Sequence, residues 1–312
     1  MTGGAGSAAP ACLLDASIFI FRYYFSMPDH WSSVEGHGTG AVYGYTRFLL
    51  RLLTEQRPRL IAACFDESLE SCFRNEIYPA YKSSRVLPDE ALAFQLAACQ
   101  QVTRLLGIAS FASDRYEADD LLGSLMQLLH RVEPATPVAL LTRDKDLGQL
   151  LLRPQDCLWD YGTAGRNSDS QPLYREHIHQ RFGVWPEQLV DYLALVGDSI
   201  DDIPGVPGIG AKTAGALLQF AGDIETLYQR LDELPAQGIR GAKSLATKLL
   251  NWREQVALAQ RLAKIVTDVE LQVDPAELRR GGAEREQFAD FCQRMGFGGS
   301  LLAGFDRAAE AV

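Results

Sequence analysis

The feature that most constrains this chain is a set of three near-continuous apolar runs, each closed by an acid. Residues 11–14 end in Asp15, residues 60–65 end in Asp66, and residues 138–142 lead into Asp144 and Asp146. Continuous rather than alternating apolarity is what a strand buried on both faces requires, and such strands belong to parallel sheets. Stretches of helical period separate the runs, at 39–53, 89–106 and 118–130. Strands alternating with helices predict an α/β fold with a central, mostly parallel sheet flanked by helices. Ligands of such sheets bind beyond the carboxyl ends of the strands, and all three runs place an aspartate there.

A composition change near 184–186 divides the 312 residues, which is also enough chain for about two domains. The expected layout is a disordered Gly/Ala-rich tail at 1–10 and an α/β domain at 11–185. A helical region follows at 186–290, and a C-terminal tail at 291–312. No apolar run approaches the roughly 20 residues that cross a bilayer, and no basic segment precedes an apolar one at the N-terminus. A cytoplasmic chain without membrane contact is the expectation. Six cysteines occur without a CxxC pair, and the five histidines are scattered. Neither a zinc site nor a disulfide framework is indicated, and the cysteines read as core thiols of a reducing compartment. The formal net charge of −10 argues against nucleic acid only weakly. Charge averaged over a surface says nothing of local basic clusters, and metal-binding carboxylates inflate the negative count.

Carboxylates recur in five places: Asp15; Asp66; Glu117, Asp119 and Asp120 in YEADD; Asp144 and Asp146 in TRDKDL; and Asp198 and Asp201 in GDSIDD. Glu117 and Asp120, three apart at a helix start, share a face, and Asp198 and Asp201 have the same spacing. Asp144 and Asp146 point the same way if the strand continues. Each segment alone has an ordinary structural explanation: acids complement the dipole of a first helical turn, and Asp is a common turn residue. Their coincidence at strand ends and helix starts favours a divalent cation, because clustered carboxylates repel one another unless a hard ion neutralises them. Magnesium or manganese, two or more ions, is the expected cofactor, and a pair of ions about 4 Å apart suits phosphoryl hydrolysis.

Two further segments suggest a polyanion. GVPGIGAKT, residues 205–213, looks like a Walker A loop, but Ala211 stands where Lys is required and no strand precedes it. It reads better as the turn of a helix–hairpin–helix. Gly205, Gly208 and Gly210 allow close backbone approach to a phosphate, the next helix offers free N–H groups, and Lys212 and Thr213 add polar contacts. A plain tight turn between packed helices is the alternative. In FRNEIYPAYKSSR, Arg74, Lys82 and Arg85 alternate with Tyr78 and Tyr81, a combination suited to stacking and phosphate contact in single strands. A solvated loop is the alternative there. Arg22, followed by Tyr23 and Tyr24, is a weaker candidate of the same kind.

In this order, YEADD, DKDL, GD-x-x-D and GVPGIGAKTA resemble the 5′–3′ exonuclease and flap endonuclease family, above all the 5′-nuclease domain of bacterial DNA polymerase I and its stand-alone relatives. The resemblance covers residues 11 to at least 273. It implies a PIN-like nuclease domain with a helical arch near 74–100, and a C-terminal helical helix–hairpin–helix region. It implies one metal at Asp15, Asp66, Glu117, Asp119 and Asp120, and a second at Asp144, Asp146, Asp198 and Asp201. Lys82 and Arg85 would contact the scissile phosphate, making them, with Asp144, the catalytic set. Arg22, Arg74 and Tyr81 join the expected DNA contacts, and the backbone carbonyls of Val206 and Ile209 would hold potassium. The implied substrate is DNA with a 5′ end, flap or duplex junction, cut by a monomer, with a DNA polymerase as the expected partner. Three positions depart from the family pattern: Ala16 where Gly is usual, Asp202 where Asn is frequent, and Arg143 where a small residue is usual. Two other classes compete. A non-catalytic DNA-binding module would not keep so many acids near DNA. A small-substrate phosphohydrolase would not need the glycine turn or the basic cluster.

Overall fold

The computed structural model describes residues 9–28, 30–68, 71–85, 87–162, 171–238 and 241–311. Most of the expected N-terminal tail, residues 1–8, lies outside them. Strands β1 (Ala11–Asp15), β2 (Ile61–Asp66), β3 (Ala109–Ser113), β4 (Val138–Leu141) and β5 (Cys157–Leu158) form one sheet, in the order β3-β2-β1-β4-β5. Every pairing is parallel. Helices α1 (Ala16–Ser26) and α2 (Gly40–Gln56) follow β1, and α3 (Phe73–Ile77) and α4 (Glu90–Leu105) follow β2. Helix α5 (Ala118–Val132) joins β3 to β4, and α6 (Arg175–Phe182) follows β5.

The three apolar runs are the three central strands, and both of their faces are buried. Ala11, Leu13, Ala62, Cys64, Val138 and Leu140 face one core, together with α5. Cys12, Leu14, Ala63, Phe65, Ala139 and Leu141 face the other, against α1, α2 and α4. The period of two in a strand divides each run between the two cores, which is why no polar residue interrupts them. The strands the sequence did not reveal lie at the edges. β3, ASFAS, is only half buried, and β5 has two residues.

Beyond α6 the chain is helical, as expected: α7 (Leu189–Val196), α8 (Ala211–Ala221), α9 (Ile224–Gln229), α10 (Ala242–Asn251) and α11 (Arg253–Ala263). These helices extend the α5 side of the core through Leu193, Leu217, Leu249 and Val256. The C-terminal tail at 291–312 is helical and packs onto the core. Helices α12 (Arg285–Arg294) and α13 (Leu302–Ala309) bury Phe288, Phe291 and Phe305 in the core on the α2 side. Phe288 and Phe305 stack at 4.7 Å between centroids. The segment expected to form a helical arch near 74–100 contains two helices: α3 ends at Ile77, turns follow as far as Arg85, and α4 begins at Glu90.

Candidate active site

Parallel pairing sets the strand ends side by side, so Asp15 on β1 lies between Asp66 on β2 and the segment after β4. Asp15 also caps α1, accepting from the Ile18 amide at 3.3 Å, and its other oxygen accepts from the Thr142 hydroxyl at 2.9 Å. Thr142 Oγ1 in turn accepts from the Asp144 amide at 2.9 Å, and Asp144 Oδ1 from the Asp146 amide at 2.9 Å. Asp66 Oδ1 accepts from the Ala118 amide at 2.7 Å, tying β2 to the start of α5. The strand does not continue to Asp144 and Asp146. It stops at Leu141, and Asp146 opens a turn of 3₁₀ helix, so alternation along a strand does not align this pair. Asp198 and Asp201 are not on a helix either. They sit in the turn after α7, closed by reciprocal backbone bonds between Asp198 and Ile203 of 2.8 and 2.9 Å.

The acids strain against each other. Burial, then Asp66, push Asp15 up to about 7. Burial, then Asp144 and Asp198, push Asp146 up to about 8. Burial also raises Asp66 and Asp144, and it raises Asp119 well above the carboxylate range with help from Asp144 and Asp15. Asp146 Oδ1 is buried without a hydrogen-bond partner. Among the described residues, no three His, Cys, Asp or Glu side chains converge into a ready-made metal cluster. The donor set nevertheless fits a hard divalent ion in chemistry: oxygen ligands, mutual repulsion that a cation would relieve, and an orphaned buried oxygen.

Three of the nine expected ligands, Glu117, Asp120 and Asp201, are already paired with cationic side chains within 3.0 Å. Asp120 is fully buried and held bidentately by Arg74, at 2.7 and 2.8 Å. It also accepts from the Val266 amide at 2.8 Å. Glu117 accepts from Arg74 at 3.0 Å and from the Tyr81 hydroxyl at 2.9 Å, and pairs with Lys82. Burial alone would raise Glu117, but Lys82 and Arg74 outweigh it and hold the carboxyl below its usual range. Asp120 thus anchors the start of α5 to Arg74 and to the segment after α11. Arg74 and Tyr81, expected at DNA, are 2% and 3% exposed and face these acids, so neither presents a surface to a strand. Arg22 is likewise committed, at 2.5 Å, to Asp160.

Lys82 and Arg85 do meet the site. Lys82 joins Glu117 and stands 3.5 Å from Asp201, and Arg85 pairs with Asp201 at 2.7 Å. Burial opposes the Lys82 ammonium, yet Glu117, Tyr81 and Asp201 raise it well above its ordinary value, so it remains charged. Its backbone is left-handed, with φ at 53°, and the Lys82 amide donates to the Asp201 carbonyl at 3.1 Å. A lysine in this region costs about 1 kcal/mol or more. Asp202, at φ 55°, explains the departure from Asn, since both residues tolerate this conformation. Its carboxylate accepts from the Ser84 amide at 2.9 Å. Arg143 pairs with Asp160 at 3.4 Å. Together Asp66, Glu117, Lys82 and Arg85 line a cleft of about 470 Å³ with Phe21 at its rim.

The glycine turn lies between α7 and α8. Gly205 is fixed by packing rather than by a phosphate: a Cβ there would stand 2.2 Å from the Val196 carbonyl oxygen. Gly208, exposed at φ 79°, supplies the left-handed step of the turn. Val206 and Ile209 bury their side chains, while Gly210 and Lys212 are exposed at the start of α8 and Thr213 is half buried. Lys248 of α10, which the sequence did not single out, donates to the Pro207 carbonyl at 2.7 Å and braces the turn. Its only sequence signal is being one of two lysines on an amphipathic helix.

Comparison with known proteins agrees with this architecture. Residues 10–183 match the family described as the 5′-3′ exonuclease, N-terminal resolvase-like domain, and residues 184–286 match the 5′-3′ exonuclease, C-terminal SAM fold. A 5′-3′ exonuclease of Buchnera aphidicola is 32% identical over 270 residues, covering 86% of this chain and 90% of the relative. DNA polymerase I of Pseudomonas aeruginosa is 37% identical over 281 residues, 90% of this chain but only 30% of the polymerase's own length. Among solved structures, a zinc-bound bacteriophage T5 5′-exonuclease superposes with a TM-score of 0.63 at 19% identity, covering 97% of this chain and all of that one. The catalytic core of Rad2 bound to a DNA substrate gives 0.64 at 15% identity, covering 98% and 94%. A parallel sheet edged by acids, followed by a helical domain, defines the class of resolvase-like nuclease folds. The chain belongs to the 5′-3′ exonuclease family.

Proposed function

We propose that this chain is a structure-specific 5′ nuclease that hydrolyses DNA phosphodiester bonds at a 5′ end, flap or duplex junction. The observation that carries the reading is the row of acids along one sheet edge that raise each other's proton affinity, bordered by a charged Lys82 and Arg85. Asp15, Asp66, Asp119, Asp144, Asp146 and Asp198 would hold magnesium or manganese. When bound, such ions supply an activated water and charge stabilisation at the leaving oxygen. Lys82 and Arg85 exchange part of their pairing with Glu117 and Asp201 for the scissile phosphate, where charge develops in the transition state. Arg74 keeps Glu117 and the start of α5 in place. Gly208, Gly210 and Lys212 offer N–H groups and a cation to duplex backbone as a helix–hairpin–helix, with potassium on the Val206 and Ile209 carbonyls.

Support also comes from the relatives, one of which is named a 5′-3′ exonuclease and another DNA polymerase I. A DNA polymerase is accordingly the partner we propose for this monomeric chain. No helix among the described residues is long and apolar enough to cross a membrane, and all six cysteines are free, which suits a reducing cytoplasm. A 5′-labelled flap duplex incubated with the protein and magnesium tests the reading. Cleavage near the junction, abolished by EDTA and absent on small phosphoesters, is expected. Binding without cleavage, or cleavage in excess EDTA, would overturn it.

A further inference from the structure

A second cleft, of about 640 Å³, has Asp144 in its lining and shares no lining residue with the cleft of Lys82 and Arg85. Its basic lining is Arg143, Lys145 and Arg181, with His177 beside them and Asp144 and Asp160 as the acids. The Arg143 side chain is 60% exposed, and its one ion pair, with Asp160 at 3.4 Å, is shared with Arg22, which lies closer at 2.5 Å. Arg181 is exposed and, among the described residues, stands only over the Phe182 ring, 5.4 Å from the centroid. Lys145 is 4.0 Å from Asp198. His177 Nδ1 accepts from the Tyr174 amide, which leaves Nε2 as its second polar atom. In a chain of net charge −10, two under-neutralised guanidiniums facing one cleft beside the acidic row are a local exception. The acids thus adjoin two basic lips: Lys82 and Arg85 share a cleft with Asp66 and Glu117, and Arg143 and Arg181 share one with Asp144.

Resting on the nuclease reading above, we propose that this second lip binds a backbone phosphate of the cleaved strand adjacent to the scissile one. A free nucleotide would enter against the repulsion of the acidic row. A strand already fixed at the first lip delivers its neighbouring phosphate to the second without that cost. Arg143 and Arg181 act here as positioning residues that set which bond lies over the acids. Guanidinium is suited to the task because it is always charged and forks onto phosphate oxygens.

The test walks a single neutral methylphosphonate linkage along the cleaved strand of a 5′-flap duplex. Affinity is measured by fluorescence anisotropy in calcium for the wild-type chain, Arg143→Ala/Arg181→Ala and Arg143→Lys/Arg181→Lys. A neutral linkage on one side of the scissile bond should weaken wild-type binding about 10-fold, and should cost the alanine variant nothing at that position only. With all phosphates charged, the alanine variant should bind about 10-fold more weakly, with the salt slope reduced by about one, and the lysine variant should recover most of the loss. Cleavage in magnesium by the alanine variant should also scatter over neighbouring bonds. Equal affinity of wild type and alanine variant, or equal costs of every neutral linkage in both, would overturn the proposal. If the linkage pattern appears but the wild-type chain cuts no strand in magnesium, the nuclease reading falls and the second lip stands.

Discussion

Replacing Arg74 by methionine separates the role the structure gives this residue from the DNA contact its sequence suggests. The guanidinium spends all five N–H donors inside the protein. Nε meets the Leu262 carbonyl at 2.8 Å, Nη1 meets Glu117 and Asp120 at 3.0 and 2.7 Å, and Nη2 meets Asp120 and the Lys264 carbonyl at 2.8 Å each. Methionine fills similar volume but leaves Asp120, with 0% exposure, as a buried charge without its cation. Breaking a buried pair in this way costs about 3–5 kcal/mol. For a chain of this size that is a fall of roughly 10 °C in melting temperature. Adding Asp120→Leu removes the stranded charge and should restore more than half of the loss, so the double-mutant cycle should show coupling of about 2 kcal/mol or more. Urea unfolding of the two single variants and the double variant, with refolding checked, measures this. DNA affinity of the folded Arg74→Met variant, taken well below its transition, should lie within about two-fold of wild type with an unchanged salt slope. A variant as stable as wild type that binds DNA 10-fold more weakly, with the slope reduced by about one, would refute the structural assignment.

Three further outcomes are expected. In EDTA, stability should fall as pH rises from about 4 to 8: the folded-state values of Asp15, about 7, and Asp146, about 8, lie above the unfolded 3.8, so across that window the folded chain keeps protons that the unfolded chain has released, and the stability present below 3.8 is lost by the time the folded groups ionise. Saturating magnesium should flatten that profile, and melting curves that are already flat in EDTA would contradict the repulsion argument. Asp144→Asn should lower single-turnover cleavage by about two orders of magnitude or more while gel-shift affinity persists or tightens, because a ligand and a charge facing phosphate go together; unchanged turnover would make the acidic row structural. Lys82→Ala should depress the saturated single-turnover rate, whereas Lys212→Ala should weaken binding, reduce the salt slope by about one and be rescued by excess enzyme. The reverse pattern of rescue would exchange their roles.

What the sequence determined by itself was the frame of the site. Residues 11–14, 60–65 and 138–142 are apolar without interruption because both faces of a central strand are buried, and that requirement is local and readable. The start of α5 is legible for the same reason: Glu117 caps, and Asp119 and Asp120 open, a strongly amphipathic helix that begins, as expected, at Ala118. The exposed Lys212 after a glycine-rich turn was readable too. Edge strands escaped because ASFAS and a two-residue β5 carry neither length nor apolar pattern. The docking of residues 291–312 escaped because their buried rings find a core only against α2, more than 200 positions earlier. Tertiary structure alone decided which charges serve chemistry. Arg74, Tyr81, Lys82 and Arg85 look alike within one 13-residue segment. The fold buries the first two against the N-terminus of α5 and leaves the last two at the mouth of the cleft. Asp119 and Asp120 are neighbours in sequence, yet one adjoins Asp15 and Asp144 while the other is sealed under Arg74. Periodicity along a chain reports how an element divides its faces. It carries no record of partners 40 to 190 residues away, and for a charged side chain the partner decides whether it anchors the fold or remains available to a ligand.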